Sequence, residues 1–288
     1  MDRKYWIWFS KIKKLTCVQK EKLLNKYGTI ENIWNLDVKK LKNETMLSDE
    51  EINAIVDKIA REKLEQYEYY MEKNNIKMIN IMDDEYPEKL KNIYDKPIVL
   101  FTKGNTELLK NISVAMVGCR DCTNYGKKIA QKLAYDLAKE NICIVSGLAK
   151  GIDKFSHIGA LEAKGKTIAV IGNGLDYVYP FENKDLYERI IKNNGLIVTE
   201  YIIGTKPEKL NFPARNRIIS ALSNAVVVVE AKVKSGSLIT AEFGLEYGKE
   251  ILAVPGNIDN LNSQGTNLLI KDGACVVTDY KDVLNCVK

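Results

Sequence analysis

From Asn111 onward, short apolar runs alternate with helical patterns, and this alternation constrains the fold more than any other feature of the chain. The runs fall at 112–117, 142–146, 167–171, 196–199, 225–229, 251–254 and 274–277. They are rich in Val and Ile and do not alternate apolar with polar, as expected of strands buried on both faces. Most are followed by a loop carrying Gly, Ser or Asn, and then by apolar residues at helical spacing. A βαβα order of this kind predicts a doubly wound, mostly parallel sheet.

The chain before this region has a different texture. Tyr5, Trp6, Trp8, Phe9, Ile12 and Leu15 form an apolar stripe near helical spacing. Leu23, Leu24 and Tyr27 form a second, closed by Gly28 as a C′ glycine. Ile30, Ile33, Trp34 and Leu36 form a third. Ser48 with Glu51 three residues later is a capping-box pattern ahead of Ile52, Ile55, Val56 and Ile59. That helix is predicted to run to about residue 74. Strands are predicted at 76–82 and 98–102. Two units follow: a small helical bundle over 1–75 and an α/β domain over 76–288.

Ligands of doubly wound sheets bind beyond the carboxyl ends of the strands. The residues there are Gly118-Cys119-Arg120, then Ser146 to Asp153, Gly172-Asn173-Gly174, Glu230-Ala231 with Ser235-Gly236-Ser237, and Pro255-Gly256. Glycines at such turns let backbone N–H groups approach a phosphate, or simply satisfy turn geometry. Arg120, Lys150 and Lys234 lie among them and favour an anion site.

The formal net charge is only +5, from 43 basic and 38 acidic residues. It is also evenly spread, with 15 basic and 13 acidic residues in 1–75. A duplex binder with a broad basic face is disfavoured, so any nucleic-acid site must be a local patch. The segment 206–217 supplies one. Lys206, Lys209, Arg215 and Arg217 face a single Glu208, around Phe212. It is predicted as a loop after the strand at 196–199. An aromatic flanked by cations is how single strands are held. Two readings stay open for this segment: contacts to a ligand, or Phe212 in the core with Arg215 or Arg217 on a buried carboxylate.

Other chemistries are poorly supplied. The single histidine, His157, excludes a His-rich zinc site and any histidine triad built elsewhere. Ser146, Asp153 and His157 could be drawn as a triad, but GxSxG is absent, and a local hydrogen bond is the preferred role for His157. Cys119-x-x-Cys122 stands alone, without the second pair that zinc requires. Gly172-Asn-Gly174-Leu-Asp-Tyr177 does not complete GxGxxG, and no GxxxxGK[ST] loop is present. No catalytic residue, metal or cofactor is expected. No run approaches the roughly 20 apolar residues of a membrane span, and the N-terminus lacks a signal-peptide core. Six cysteines without a secretion signal suggest reduced thiols in the cytoplasm.

Taken in order, these motifs resemble the DNA-processing protein A family, also called DprA or Smf. The resemblance is densest in 117–120, 145–153 with His157, 172–176 with Tyr179-Pro180, 212–218, Glu230-Ala231, 235–241 and 253–256. It implies an extended Rossmann-like domain that binds single-stranded DNA, protects incoming strands in natural transformation and helps load the RecA recombinase, as a homodimer. It implies Arg120 and Lys209 at phosphates, Phe212 against a base, and Ser235-Gly236-Ser237 as a backbone-donor turn. The family's Gly-Ser/Thr-Arg turn reads Gly118-Cys119-Arg120 here, and a thiol is a poorer donor than a hydroxyl. Many members carry a further winged-helix domain, for which the residues before Lys288 leave no room. The bundle is similar to the family's helix-hairpin-helix-like region, but its hairpin stretch 15–20 lacks glycines, so a packing or partner-contact role is expected for it. The rival class is a nucleoside monophosphate phosphoribohydrolase on a similar fold. Its PGGxGTxxE signature is absent, and the nearest stretch, 235–242, keeps only a glutamate.

Overall fold

The computed structural model describes residues 3–287. The N-terminal helices are α1 (Arg3–Lys11), α2 (Cys17–Tyr27), α3 (Ile30–Trp34), α4 (Val38–Glu44), α5 (Asp49–Val56) and α6 (Leu64–Lys73). Gly28 adopts φ +80° and its N–H closes α2 on the Leu24 carbonyl. Ser48 and Glu51 form the predicted capping box at α5. The expected continuation to residue 74 is interrupted. Asp57 turns extended, at φ −59° and ψ 114°, and its side chain accepts the Ile59 N–H at 2.9 Å. The break lets Arg61 stack 5.2 Å above the Trp8 ring and 4.4 Å above the Trp34 ring, which a continuous helix would not present.

All nine predicted strands join one sheet. They are β1 (Lys77–Asn80), β2 (Val99–Gly104), β3 (Ser113–Val117), β4 (Cys143–Ser146), β5 (Thr167–Val170), β6 (Leu196–Thr199), β7 (Ala225–Val228), β8 (Glu250–Ala253) and β9 (Cys275–Val276). Their order is β1-β2-β6-β5-β4-β3-β7-β8-β9. The run from β6 to β9 is parallel, while β1 and β2 add an antiparallel margin beyond β6.

The remaining helices are α7 (Glu88–Lys91), α8 (Asn124–Lys139), α9 (Ile152–Glu162), α10 (Lys184–Lys192), α11 (Asn211–Leu222), α12 (Gly236–Glu246), α13 (Gln264–Lys271) and α14 (Tyr280–Val287). Successive residues of each central strand serve opposite layers, as the pleat requires. Val114 and Met116 of β3 and Ala225 and Val227 of β7 pack with Leu133 and Leu137 of α8 and Ile152 of α9. Ala115, Val117, Val226 and Val228 pack with Ile218, Ile219 and Leu222 of α11 and Ala241 of α12. Each such fully buried Val or Ile is worth about 1.5–3 kcal/mol. The N-terminal bundle shares its core with one end of the sheet. Trp6, Ile30 and Ile52 belong to the same apolar cluster as Phe101, Ile171, Ile197 and Ile190.

Candidate functional site

Read from β5 to β9, the strand order is the 3-2-1-4-5-6 of a dinucleotide-type fold, with β3 as its first strand. The chain leaves β3 toward β4 on one side and reaches β7 on the other, so the switch point lies between β3 and β7. Loops from both strands diverge there and leave a crevice. A cleft of about 650 Å³ fills it. Gly118, Cys119, Arg120, Lys209, Phe212, Arg215, Ser235, Gly236 and Ser237 all line this one cleft, although they span 120 positions of sequence.

Phe212 forms one wall. Its ring lies 5.4 Å from the Tyr179 ring at an interplanar angle of 31°, and the Arg120 guanidinium sits 5.5 Å from its centroid. Gly172 permits this placement, because a Cβ there would come within 3.0 Å of the phenyl edge. Phe212 is half-buried and Tyr179 is exposed, so the pair keeps aromatic surface available. Arg120, Lys209, Lys232 and Lys234 are exposed and make no ion pair among the described residues. Opposite, Ser235 caps α12. Its Oγ accepts the Ser237 N–H at 3.4 Å and shares a 2.8 Å hydrogen bond with the Ser237 hydroxyl. Asn216 of α11 donates to the Gly236 carbonyl at 3.1 Å and ties α11 to the start of α12.

Beneath this surface lies a polar layer that bonds mainly within the protein. The Cys119 N–H donates to the Glu230 carbonyl at 2.8 Å, and its thiol faces the Glu230 carboxylate at 3.7 Å. Burial, and then the Glu230 charge, pushes that thiol up to about 12. Both donors of Cys119 are therefore used inside. Glu230 also accepts the Thr123 N–H at 2.9 Å, fixing the turn that presents Arg120. Arg215 is only 4% exposed, and its guanidinium donates to the carbonyls of Gly147, at 2.7 Å, and of Val170. Buried Asp153 opposes it while accepting the Gly147 N–H at 3.1 Å. Arg215 thus forms the cleft floor with a charge largely committed to the protein.

The triad that can be drawn from the sequence does not assemble. The Ser146 hydroxyl donates to the Met116 carbonyl at 2.7 Å, and Asp153 serves Gly147. His157 Nδ1 bonds the Thr167 hydroxyl at 2.7 Å, and burial, helped by the Arg215 charge, lowers its pKa to about 3. Arg217 takes the buried-carboxylate role. It pairs bidentately with Glu200 at 2.6 and 2.7 Å and reaches Asp95 at 3.2 Å. The segment 206–217 is also not one loop. From Asn211 it is α11, with Pro213 in the first turn, where the missing N–H costs no helical bond. Tyr179, Asn216 and Lys232 belong to the cleft without having been singled out from sequence for it. Tyr179 lies 33 positions before Phe212, and no local spacing links them.

Residues 77–288 match the family model described as DNA recombination-mediator protein A. The chain belongs to this family. It is 51% identical over 205 residues to DNA processing protein DprA of Streptococcus pneumoniae, covering 71% of this chain and 72% of the relative. It is 35% identical over 289 residues to Protein Smf of a Synechocystis strain, covering 98% of this chain and 72% of the relative. The solved structure of the Streptococcus pneumoniae DprA is similar throughout, with a TM-score of 0.84 at 40% identity over 99% of this chain and 98% of that one. A structure of DNA processing protein A from Helicobacter pylori, described for its single-stranded DNA binding mode, has a TM-score of 0.66 at 33% identity. It covers 73% of this chain and 94% of that one. Membership of the DprA family and the doubly wound fold agree. Among the described residues no helix is long and apolar enough to cross a membrane.

Proposed function

We propose that this protein binds single-stranded DNA, with little regard to sequence, in the cleft between β3 and β7. Four exposed cations around an aromatic pair, one of them, Arg120, on a turn braced from below by Glu230, carry this reading. Arg120 and Lys209 neutralise phosphates, helped by Lys232 and Lys234. Phe212 stacks a base, and the Ser235-Gly236-Ser237 turn offers the Gly236 N–H at the start of α12, the Ser235 and Ser237 N–H groups donating within the protein. Gly118 and Cys119 position Arg120, and Arg215 shapes the floor. The Helicobacter pylori relative, described for single-stranded DNA binding, supports the ligand class.

The protein acts as a binder rather than a catalyst, needs no cofactor or metal, and works in the cytoplasm as a homodimer. It protects incoming single strands in natural transformation and helps load RecA. The helices of 1–75 serve as a packing or partner-contact module on the α/β domain of 76–288. The test is Arg120→Ala combined with Lys209→Ala. The folded double variant loses most single-strand affinity, whereas wild-type binding would place the site elsewhere. Incubation with nucleoside monophosphates should release no free base, and release above trace rates would favour the phosphoribohydrolase class. RecA loading is checked by RecA assembly on single strands with and without the protein, and the dimer by light scattering.

A further inference from the structure

A second basin adjoins the cleft on the far side of Arg120. Its volume is about 450 Å³, and Arg120, Lys127, Lys150, Lys154 and Phe155 line it, with Asp121 and Glu182. Four cations thus face two carboxylates. Lys150 is held by Glu182. Lys127 and Lys154 are ion-paired with nothing among the described residues, and Lys127 lies 5.9 Å above the Phe155 ring. A smaller concavity bridges the two spaces, because Tyr179, Phe212, Arg120 and Lys150 all border it. The three hollows therefore form one groove crossing Arg120. Phe181, 75% exposed, directly precedes Glu182 on the basin wall.

The basin is supported as firmly as the cleft. Gly151 opens α9 at φ +70°, and a Cβ there would strike the Cys119 and Arg120 carbonyls at 2.3 Å. The loop bearing Arg120 and the start of α9 bearing Lys154 are therefore locked together. Asn183 donates to the Leu148 carbonyl at 2.9 Å and the Ala149 carbonyl at 3.1 Å, which fixes the opposite wall. A concave, rigid surface with two unpaired ammonium groups suits successive phosphates of an extended strand. Its openness and polar lining do not suit an enclosed small molecule.

We infer that this basin is a second phosphate-binding subsite, which takes the DNA strand as it leaves the aromatic cleft. Lys127 and Lys154 hold phosphates there, and Phe181 offers a ring to a base at the exit. This rests on the single-strand reading above and gives the strand a path: past Lys209 and Phe212, over Arg120, toward α8 and α9.

The test compares oligothymidylates from about 4 to about 16 nucleotides, a span that brackets known single-strand site sizes. Each is titrated against the full chain and against Lys127→Ser/Lys154→Ser by fluorescence anisotropy at several salt concentrations. Wild-type protein gains affinity with length, and the variant loses much of that gain while still binding the shortest strands. Losing two phosphate contacts flattens the salt slope by about 1.4. Between about 50 and 200 mM salt, the wild type then loses roughly sevenfold more affinity for the long strand than the variant does. Lys127→Arg/Lys154→Arg retains the gain. Identical length dependence and salt slope in wild type and the Ser variant would overturn the subsite. Failure of wild type to bind any length would instead sink the single-strand reading itself, and the subsite with it.

Discussion

Replacing Phe212 with Ala separates stacking from charge in the cleft. The ring is half-buried in the first turn of α11, against Tyr179, Arg120 and Gly172, and it is not a member of the central apolar clusters. Truncating a fully buried Phe costs about 3–5 kcal/mol, so a half-exposed one should cost about 1–2 kcal/mol and leave the protein folded. Loss of one base stack should cost about 1–3 kcal/mol of binding, or roughly 5- to 150-fold in affinity. The loss must be the same at every salt concentration, because no charge is removed. Arg120→Ala should behave differently, flattening the salt slope by about 0.7 as well as weakening binding. Phe212→Trp keeps the stack and should bind close to wild type. Anisotropy titrations with a fluorescent oligothymidylate at four salt concentrations resolve both quantities. A folded Phe212→Ala protein that binds within twofold of wild type would refute the base-stacking role. So would a loss that appears mainly as a changed salt slope.

Two further predictions concern the supporting structure. Arg217→Met leaves Glu200 and Asp95 without their buried partner and should destabilise the protein by about 3–5 kcal/mol in urea unfolding; a change below about 1 kcal/mol would mean the cluster is solvated. His157 is held neutral, with its pKa lowered to about 3, so the folded state refuses the proton that the unfolded chain takes up as pH falls through about 6.5. The stability this residue provides is thus complete well above that pH and is lost progressively toward pH 3, by about 1.6 kcal/mol between pH 6.5 and 5. His157→Gln should remove that part of the acid dependence, and an unchanged stability-against-pH curve would count against the burial argument.

Much of the architecture was legible because it depends on burial alone. Val114, Ile144, Val226 and Leu252 are apolar since both faces of their strands are covered, and that pattern is local. The capping box at Ser48 and the stop at Gly28 were legible for the same reason. The break at Asp57 was not, because the apolar spacing runs on past it, and the contacts it goes with, Arg61 on Trp8 and Trp34, join residues far apart in sequence. In the cleft, residues on strand-following turns could be found from their position after each strand. Whether a cation faces outward could not. Arg215 and Lys209 sit in one basic segment, yet one lies under the cleft and the other beside it, a difference set by the helix that begins at Asn211. Tyr179 stood out only through the family resemblance, because its place in the cleft depends on a contact between its loop and the first turn of α11.

The central claim is that four surface cations and an aromatic wall hold single strands, while the evenly spread charge offers nothing broad enough for a duplex. The most direct measurement is the affinity of the full chain for short single-stranded and double-stranded oligonucleotides of equal length, as a function of salt. Neutralisation of phosphates by Arg120, Lys209, Lys232 and Lys234 predicts a single-strand slope near −3, or about a 50-fold loss of affinity between about 50 and 200 mM salt. It also predicts clearly weaker duplex binding throughout. A single-strand affinity that barely moves with salt, or a duplex bound as tightly as the single strand, would contradict the account.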